Sequence, residues 1–244
     1  KAGFNPPILV EEQAKPDPDF PTVSFPNPEE PGAIDLSLAK AKAVGADLVI
    51  ANDPDADRCA AAINDPKRGW RMLRGDEIGI LLGDWIARTN DGNYGNSIVS
   101  SSGLSKICKH YGRNFRETLT GFKYLAQIPN LAFAYEEAIG YSVDSATVAD
   151  KDGVSAAIAL AQLAEELAAN GQTIHNRLQE IWSIIGFHAT EQISIRVENI
   201  KLVGAVLEKF RTNPPKEIAG FAVTAIDDLA KPKNDLPPTD GLRI

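Results

Sequence analysis

Residues 48–63 read LVIANDPDADRCAAAI and contain two apolar runs on either side of an acidic loop. The first run, residues 48–50, is short and continuous, as in a strand that is buried on both faces. The second run, residues 59–63, has the same strand-like character. Three aspartates alternate in the loop between the two runs. This arrangement predicts an α/β fold in which acidic side chains directly follow a buried strand.

Helical and extended patterns alternate on both sides of this stretch. Helical spacing starts near Ala33 and stops at Gly45, a residue suited to a helix C-cap. After residue 63 the patterns predict, in order, a strand at 70–73, a helix at 76–89, a strand near 97–100, a helix at 104–111, a strand at 114–119, a helix at 122–128 and a strand at 131–135. Such alternation predicts mixed, mostly parallel sheets with helices on both faces.

The two ends of the chain differ from its middle in proline content and in hydrophobic pattern. Residues 1–31 are rich in proline, which opposes helix and predicts an extended, turn-rich segment. Amphipathic helices are predicted at 153–169 and 174–184. Beyond a boundary near residue 185, three patterns predict a separate β-α-β piece, namely alternation at 193–197, a helix at 201–211 and a strand at 221–226.

Composition restricts the classes of partner. At 244 residues the chain is long enough for more than one domain. No apolar run approaches the roughly 20 residues needed to cross a bilayer, so no membrane partner is predicted. The formal net charge of −8 and the lack of a basic stripe argue against nucleic acid. Cys59 and Cys108 are too few for a disulfide framework, so we expect a cytoplasmic protein with Cys59 as a small buried thiol.

The loop between the two apolar runs is a candidate metal site formed by Asp53, Asp55 and Asp57. Carboxylate oxygens are the ligands that hard cations such as Mg²⁺ prefer, and alternate spacing lets three of them converge on one ion. Without a cation, three such charges repel one another at a cost of several kcal/mol in a low-dielectric pocket, as an order of magnitude. The loop therefore predicts Mg²⁺ as the cofactor.

The loop has three other interpretations. It can be an acidic surface turn, because Asp and Pro are ordinary loop residues. An EF-hand fails, since Arg58 stands at the sixth position, which needs Gly, and Asn64 at the twelfth, which needs Glu. A phosphatase with an aspartyl nucleophile also places Asp-x-Asp after a strand, but it requires a small hydroxyl residue soon after the second Asp. The phosphatase stays open as an alternative.

Several motifs together resemble one family. The loop DPDADR at 53–58 is similar to the magnesium loop of the α-D-phosphohexomutases, the phosphoglucomutase and phosphomannomutase family. The segment YEEAIGY at 135–141 resembles the sugar-recognition loop of that family, and TGFK at 120–123 resembles a segment found shortly before it. DKDG at 150–153 opens a long helix, also as in the family. The motifs come in the expected order, and the similarity covers essentially the whole chain.

The resemblance implies a four-domain isomerase that acts as an intramolecular phosphotransferase. In such enzymes a phosphoserine gives its phosphoryl group to the sugar, and a bisphosphorylated sugar then turns over and returns the other group. No motif for the serine or for the distal phosphate occurs here, so we expect an interior fragment that is inactive by itself. The expected portions are the end of the second domain at 1–65, the third domain at 66–185 and a truncated fourth domain at 186–244.

The resemblance also implies roles for single residues. Asp53, Asp55 and Asp57 would bind Mg²⁺. Beside them, Arg58 would reach the reacting sugar or its phosphate through its donor fork, or form a structural salt bridge to the same aspartates.

In the second loop, Glu136 would accept hydrogen bonds from two sugar hydroxyls. Glu137 is either a second sugar contact or a solvated charge, and Lys123 is either a phosphate contact or a surface charge. Ala138 stands where the family often has Ser, so one hydroxyl contact to the sugar differs.

Three function classes remain at this stage. The first is a phosphosugar mutase for glucose, mannose or pentose phosphates. The second is a magnesium-dependent phosphatase with Asp53 or Asp55 as the nucleophile. The third is a non-catalytic sugar- or metal-binding module, which is kept because the chain lacks a recognisable nucleophilic serine.

Overall fold

The computed structural model describes residues 3–193, 195, 197–199, 201–232 and 235–244. The chain divides into two compact units, Lys1–Thr190 and Glu191–Ile244. Within the described residues, no helix combines the length and the apolar character that a bilayer-spanning segment requires. The predicted α/β class with more than one domain is confirmed.

The first unit contains six helices and seven strands among its described residues. The helices are α1 (Asp35–Val44), α2 (Gly75–Ala87), α3 (Gly103–Tyr111), α4 (Phe122–Leu125), α5 (Gly153–Ala169) and α6 (Ile174–Ile185), and a short 3-10 helix spans Glu11–Gln13. The strands are β1 (Leu48–Asn52), β2 (Cys59–Asp65), β3 (Gly69–Met72), β4 (Asn93–Ser97), β5 (Phe115–Thr118), β6 (Leu131–Glu136) and β7 (Gly140–Ser142).

Strands β1, β2 and β3 form an antiparallel sheet in that order. These three strands are an antiparallel part of the mixed sheets that the sequence predicts. Parallel neighbours need a crossover of about a dozen residues or more, and the loops on either side of β2 are too short for one. Only antiparallel pairing is therefore open to these strands, and the acidic loop becomes the connection between β1 and β2.

The second sheet has the order β5-β4-β6-β7. Strand β4 is parallel to both β5 and β6, as expected for strands joined through helices. Strand β7 is antiparallel to β6, because only residues 137–139 separate them. No sequence pattern predicts β7, which is three residues long and too short for a clear periodic signal. The strand predicted near 97–100 is β4, which spans Asn93–Ser97 in the structure and is followed by a turn.

Helix α5 packs against β1 and β2 of one sheet and against β7 of the other. Helix α2 packs on α3, α5, α6 and β6. One apolar cluster runs through all of these elements and includes Cys59, Tyr135, Tyr141 and Leu160, each 0% exposed. The buried thiol that the sequence predicts at Cys59 is confirmed. Because α5 contacts both sheets, its N-terminus lies where the loops of the two sheets meet.

The second unit contains helix α7 (Lys201–Thr212) and two short hairpins, β8 (Glu217–Ile218) with β9 (Phe221–Ala222) and β10 (Asp227–Asp228) with β11 (Leu242–Arg243). Helix α7 has no buried residue. The strand predicted at 193–197 includes Ser194 and Arg196, which lie outside the described residues. Its described members, Ile193, Ile195 and Val197, are exposed and belong to no strand.

Candidate functional site

The acidic loop folds into a tight turn at the end of β1. The Ala56 amide donates to the Asp53 carbonyl at 3.0 Å, and Ala56 has φ of 56°. In this turn one carboxylate oxygen from each of Asp53, Asp55 and Asp57 lies within 4.8 Å of the others. Asp53 is buried, Asp55 is exposed and Asp57 is intermediate. The structure therefore brings together the three residues that the sequence proposes as metal ligands.

The donor set fits a hard divalent cation. Oxygens on opposite sides of an octahedral Mg²⁺ are about 4 Å apart, because each bond is about 2.1 Å long. Neighbouring oxygens are about 3 Å apart, so three oxygens that lie within 4.8 Å of one another would have to approach by up to about 2 Å to bind one ion. Oxygen-only ligands, one of them exposed to incoming phosphate or water, are typical of Mg²⁺ sites in phosphoryl-transfer proteins.

Two cationic side chains contact the aspartates from either side of the loop. Arg58 donates from Nε to Asp53 Oδ2 at 2.5 Å and from its backbone amide to Asp53 Oδ1 at 3.1 Å. Its Nε also lies 3.7 Å from Asp57 Oδ1. The ammonium of Lys151 is 2.5 Å from Asp57 Oδ2. Arg58 therefore forms the salt bridge to the aspartates that was one of its two predicted roles.

The N-terminus of α5 holds the acidic loop in place. Asp152 caps this helix by accepting from the Val154 and Ser155 amides at 3.1 and 3.2 Å. The next residue, Gly153, donates its amide to the Ala56 carbonyl at 3.0 Å. A Cβ on Gly153 would lie 2.1 Å from the Arg58 carbonyl oxygen. Glycine is therefore required where the helix and the loop meet.

A second loop, residues 137–139 between β6 and β7, is hydrogen-bonded to the backbone at the end of the acidic loop and the start of β2. The Cys59 amide donates to the Ile139 carbonyl at 3.0 Å, and Arg58 forms an isolated antiparallel bridge with Gly140. Ile139 is buried and has φ of 55°, an unusual backbone state for a β-branched residue. The two motifs that resemble a metal loop and a sugar loop therefore lie side by side.

Glu136, at the end of β6, accepts a hydrogen bond on Oε1 from the Gly121 amide at 2.6 Å. Burial raises the pKa of Glu136 above its usual value, against the opposing effect of that hydrogen bond. The negative charge of Glu137 raises the same pKa further, and the positive charge of Lys151 lowers it. Glu136 is thus a partly buried carboxyl next to the cationic group that contacts Asp57.

Glu137 has a different environment from Glu136. Its Oε2 accepts from Ser100 Oγ at 2.8 Å and from Ser97 Oγ at 3.1 Å, and its backbone amide donates to Ser100 Oγ at 3.1 Å. The carboxylate therefore fastens the 137–139 loop to the end of β4. The two serines were not among the sequence candidates, since nothing in the sequence indicates a contact with Glu137.

Lys123 is exposed on α4, and its ammonium lies over the Tyr124 ring at 5.0 Å from the ring centroid. Gly121, just before it, has φ of 116° and provides the amide that contacts Glu136. Lys151 was singled out in the sequence only as part of a helix-opening motif. The sequence offers one further indication of a role for Lys151, which is its position directly before Asp152, the N-cap of α5.

Two family models match the chain. The model "Phosphoglucomutase/phosphomannomutase, alpha/beta/alpha domain II" matches residues 1–69, and the model for "alpha/beta/alpha domain III" of the same family matches residues 74–184. The first match contains the acidic loop, and the second contains the 137–139 loop and the start of α5.

Curated relatives and solved structures agree with these models. The chain is 44% identical over 234 residues to the "Probable phosphomannomutase" of Haemophilus influenzae, covering 95% of this chain and 48% of the relative. It is 38% identical over 258 residues to the phosphopentomutase of Homo sapiens, covering 96% and 42%. It thus spans about half the length of the curated relatives it matches.

Among solved structures, a phosphoglucomutase/phosphomannomutase family protein from Burkholderia thailandensis matches with a TM-score of 0.54 and 18% identity. That alignment covers 64% of this chain and 33% of the other. At this level of identity the match supports the fold.

Proposed function

The chain belongs to the phosphoglucomutase/phosphomannomutase family, and from this membership we propose that it serves a magnesium-dependent phosphosugar mutase. The proposed reaction interconverts a sugar 1-phosphate with its 6-phosphate, or 5-phosphate for a pentose, through a phosphoserine and a bisphosphorylated sugar. In this proposal the chain contributes the metal loop and the sugar-recognition loop. The observation that supports it is the hydrogen bond from the Cys59 amide, just after the acidic loop, to the Ile139 carbonyl in the 137–139 loop, together with the Arg58–Gly140 bridge.

We propose Asp53, Asp55 and Asp57 as the ligands of Mg²⁺. When bound, the metal neutralises charge on the phosphoryl oxygens, which is the main requirement of phosphoryl transfer. Arg58 is held by Asp53 through Nε, so its guanidinium has a fixed orientation beside the metal ligands. We assign its terminal nitrogens to the phosphate of the substrate, where a planar fork can bind two oxygens at once.

We propose that the carboxylate of Glu136 accepts hydrogen bonds from two neighbouring sugar hydroxyls. Glu137 acts through the loop as a positioning residue, because Ser97 and Ser100 already donate to its Oε2. Lys123 is exposed two residues after Gly121, and we assign it to a phosphate group of the substrate.

The same proposal divides the chain into three portions. Residues 1–65 contribute the metal loop from a second domain, residues 66–185 form the third domain with the sugar loop, and residues 186–244 belong to a phosphate-binding fourth domain. The phosphatase alternative, with Asp53 or Asp55 as the nucleophile, receives no support from the matching family models and relatives, which carry mutase names.

Calorimetric titration of the chain with Mg²⁺ tests the metal site. We expect weak binding to the wild type and a loss of most of that binding in Asp55→Asn, because an amide lacks the charge of a carboxylate. Asp47→Asn is the matched control, since Asp47 is an exposed aspartate outside the loop. Equal affinities in the wild type and Asp55→Asn would remove the acidic loop from the metal site.

The sugar site is tested with glucose 1-phosphate and Mg²⁺ by following the amide resonance of Gly121, which donates to Glu136. Glu136→Gln should weaken sugar phosphate binding by roughly tenfold or more, since a charged hydrogen-bond acceptor is lost. Glu165→Gln, an exposed change on α5, is the control. Unchanged affinity in Glu136→Gln would remove Glu136 from the proposed sugar site.

A further inference from the structure

The side chain of Lys151 lies between the acidic loop and Gly140, the first residue of β7. Its ammonium lies 2.5 Å from Asp57 Oδ2 and 4.0 Å from Asp150 Oδ1. Its aliphatic stem lies over Gly140, where an added Cβ would come within 2.9 Å of Lys151 Cδ. The side chain thus crosses the start of β7, and its ammonium contacts Asp57, a proposed metal ligand.

We propose that Lys151 and the divalent cation compete for Asp57, so that metal binding displaces the Lys151 ammonium from Asp57 toward Asp150 and Glu136. This inference rests on the proposed function, because it takes Asp57 as a metal ligand. It makes Lys151 a competitor of the cation for Asp57, which neither its motif nor the three aspartates indicate alone.

Electrostatic repulsion is the physical reason for the competition. A cation coordinated by Asp57 would lie about 2.1 Å from a carboxylate oxygen, while the ammonium now lies 2.5 Å from Asp57 Oδ2. The two positive centres would then be only a few ångströms apart. Coulomb repulsion at such distances is strong in a partly buried site. The ammonium is the mobile partner, because it is carried on a flexible stem.

The surroundings offer the displaced ammonium a second place. Asp150 is an exposed neighbour of Lys151 at the start of α5, and Glu136 is the other carboxylate whose charge acts on it. Glu136 also is the proposed sugar ligand, so the displaced ammonium would arrive beside the substrate. Gly140 provides the room for this movement, since any side chain there would collide with the stem. Metal binding would thereby bring a positive charge close to Glu136, where the phosphorylated sugar is proposed to bind.

The first test measures Mg²⁺ affinity by calorimetry on the full chain at neutral pH. Lys151→Met keeps the length of the stem over Gly140 and removes the charge. We expect it to bind Mg²⁺ about tenfold more tightly than the wild type, a coupling of ordinary size between neighbouring sites. Lys106→Met removes the same charge from an exposed position on α3 and should change the affinity less than about twofold.

The second test observes the displacement in the wild type. The ¹⁵N resonance of the Lys151 ammonium, identified by its loss in Lys151→Met, should shift during a Mg²⁺ titration with the midpoint that calorimetry gives. A Lys151 resonance that does not respond to saturating Mg²⁺ would overturn the inference. Equal or weaker Mg²⁺ binding in Lys151→Met would overturn it as well, because an orienting role would then replace competition.

The measurements distinguish failure of the inference about Lys151 from failure of the proposed metal site. If Mg²⁺ binding occurs and is lost in Asp55→Asn, the proposed metal site stands, and only the behaviour of Lys151 is in question. If neither the wild type nor Lys151→Met binds Mg²⁺, the proposed metal site and the inference built on it both fall.

Discussion

The three aspartates of the acidic loop differ in burial and in the groups that contact their carboxylates. Asp53 is buried and is fixed by two donors on Arg58. Asp57 is half-buried and faces Lys151, and Asp55 is exposed. A buried carboxylate that loses its charge also loses charged hydrogen bonds, whereas an exposed one is solvated in either form. Equal residue types in one motif therefore have unequal effects on stability.

The pair Asp53→Asn and Asp55→Asn makes this difference measurable. Without added metal, Asp53→Asn should lower the free energy of unfolding by about 2–3 kcal/mol, because Arg58 loses a buried charged partner. Asp55→Asn should change it by less than about 0.5 kcal/mol, as is usual at exposed positions. Urea unfolding followed by circular dichroism gives both values. A loss as large in Asp55→Asn as in Asp53→Asn would contradict this assignment of roles.

Gly153 allows a second prediction for a single residue. Gly153→Ala places a methyl group 2.1 Å from the Arg58 carbonyl oxygen, so the acidic loop must move away from α5. We expect a loss of about 2 kcal/mol or more in unfolding free energy, as for overpacked sites, together with weaker Mg²⁺ binding.

The control for this variant is Gly204→Ala on α7, where an added Cβ meets nothing within 4 Å. Alanine should stabilise that helix slightly, because it has the higher helix propensity. If Gly153→Ala had the same stability and the same Mg²⁺ affinity as the wild type, the close contact between Gly153 and the Arg58 carbonyl would not determine the conformation of the acidic loop.

At the scale of elements, helix ends follow local sequence closely. Gly45 and Gly112, which the sequence places after α1 and α3, both adopt the left-handed conformation with φ of 66°. Only glycine reaches this state without a steric cost, so the signal is local and readable. The ion pairs between elements are different. Asp84 on α2 accepts from Arg88, Tyr111 and Arg177, and thereby ties α2 to α3 and α6.

Asp65 at the end of β2 connects elements in a way that depends on pH. It accepts from the Lys67 amide at 2.9 Å and from Arg71 Nε at 3.2 Å, and His175 Nδ1 on α6 lies 3.2 Å away. Burial favours the protonated carboxyl, but these hydrogen bonds, that from the Arg68 amide and the charge of His175 outweigh it and lower the pKa of Asp65 to about 2.

The sign of the effect follows from that shift. Because the folded pKa lies below the unfolded value of 3.8, Asp65 stabilises the fold above about pH 4, and the contribution fades as the pH falls toward 2. Its size is about 1–2 kcal/mol. Asp65→Asn should therefore be less stable than the wild type at pH 5, with a smaller difference at pH 2.5. Urea unfolding at both pH values checks this, and a constant difference would argue against the ion pair as its source.

At the scale of the whole molecule, the two units differ in how much apolar surface they bury. The large cluster around β4, β6 and α2 belongs to the first unit. In the second unit, α7 exposes Leu202, Val203, Val206 and Phe210 and buries none of its residues. A helix of this length is marginal in water without tertiary packing. The two units should therefore differ in local stability.

Hydrogen exchange of the intact chain measures that difference. Backbone amides of α7 should exchange with little protection, while those of β4 and β6 should exchange only through global unfolding of the first unit. Residues of α3 serve as a reference, because this helix is of similar length and has four buried residues. Protection of α7 equal to that of α3 would contradict a lower local stability of the second unit.

The sequence by itself determined the α/β class, most of the elements of the first unit and the family resemblance. These features depend on local patterns: continuous apolar runs, glycines at helix ends and three alternating aspartates. The turn of the acidic loop is closed by its own Ala56 amide on the Asp53 carbonyl, so the sequence alone could name the candidate metal ligands. Helix α5 was likewise predicted at 153–169, where the structure has it.

Only the tertiary structure decided which charges face those aspartates. Lys151 reaches Asp57 because α5 packs against β1, β2 and β7 and so delivers its N-terminus to the acidic loop. Glu137 reaches Ser97 and Ser100 because β4 and β6 are neighbours in one sheet. Such contacts join residues far apart in the chain, and their partners follow from how elements pack, which no local pattern in the sequence encodes.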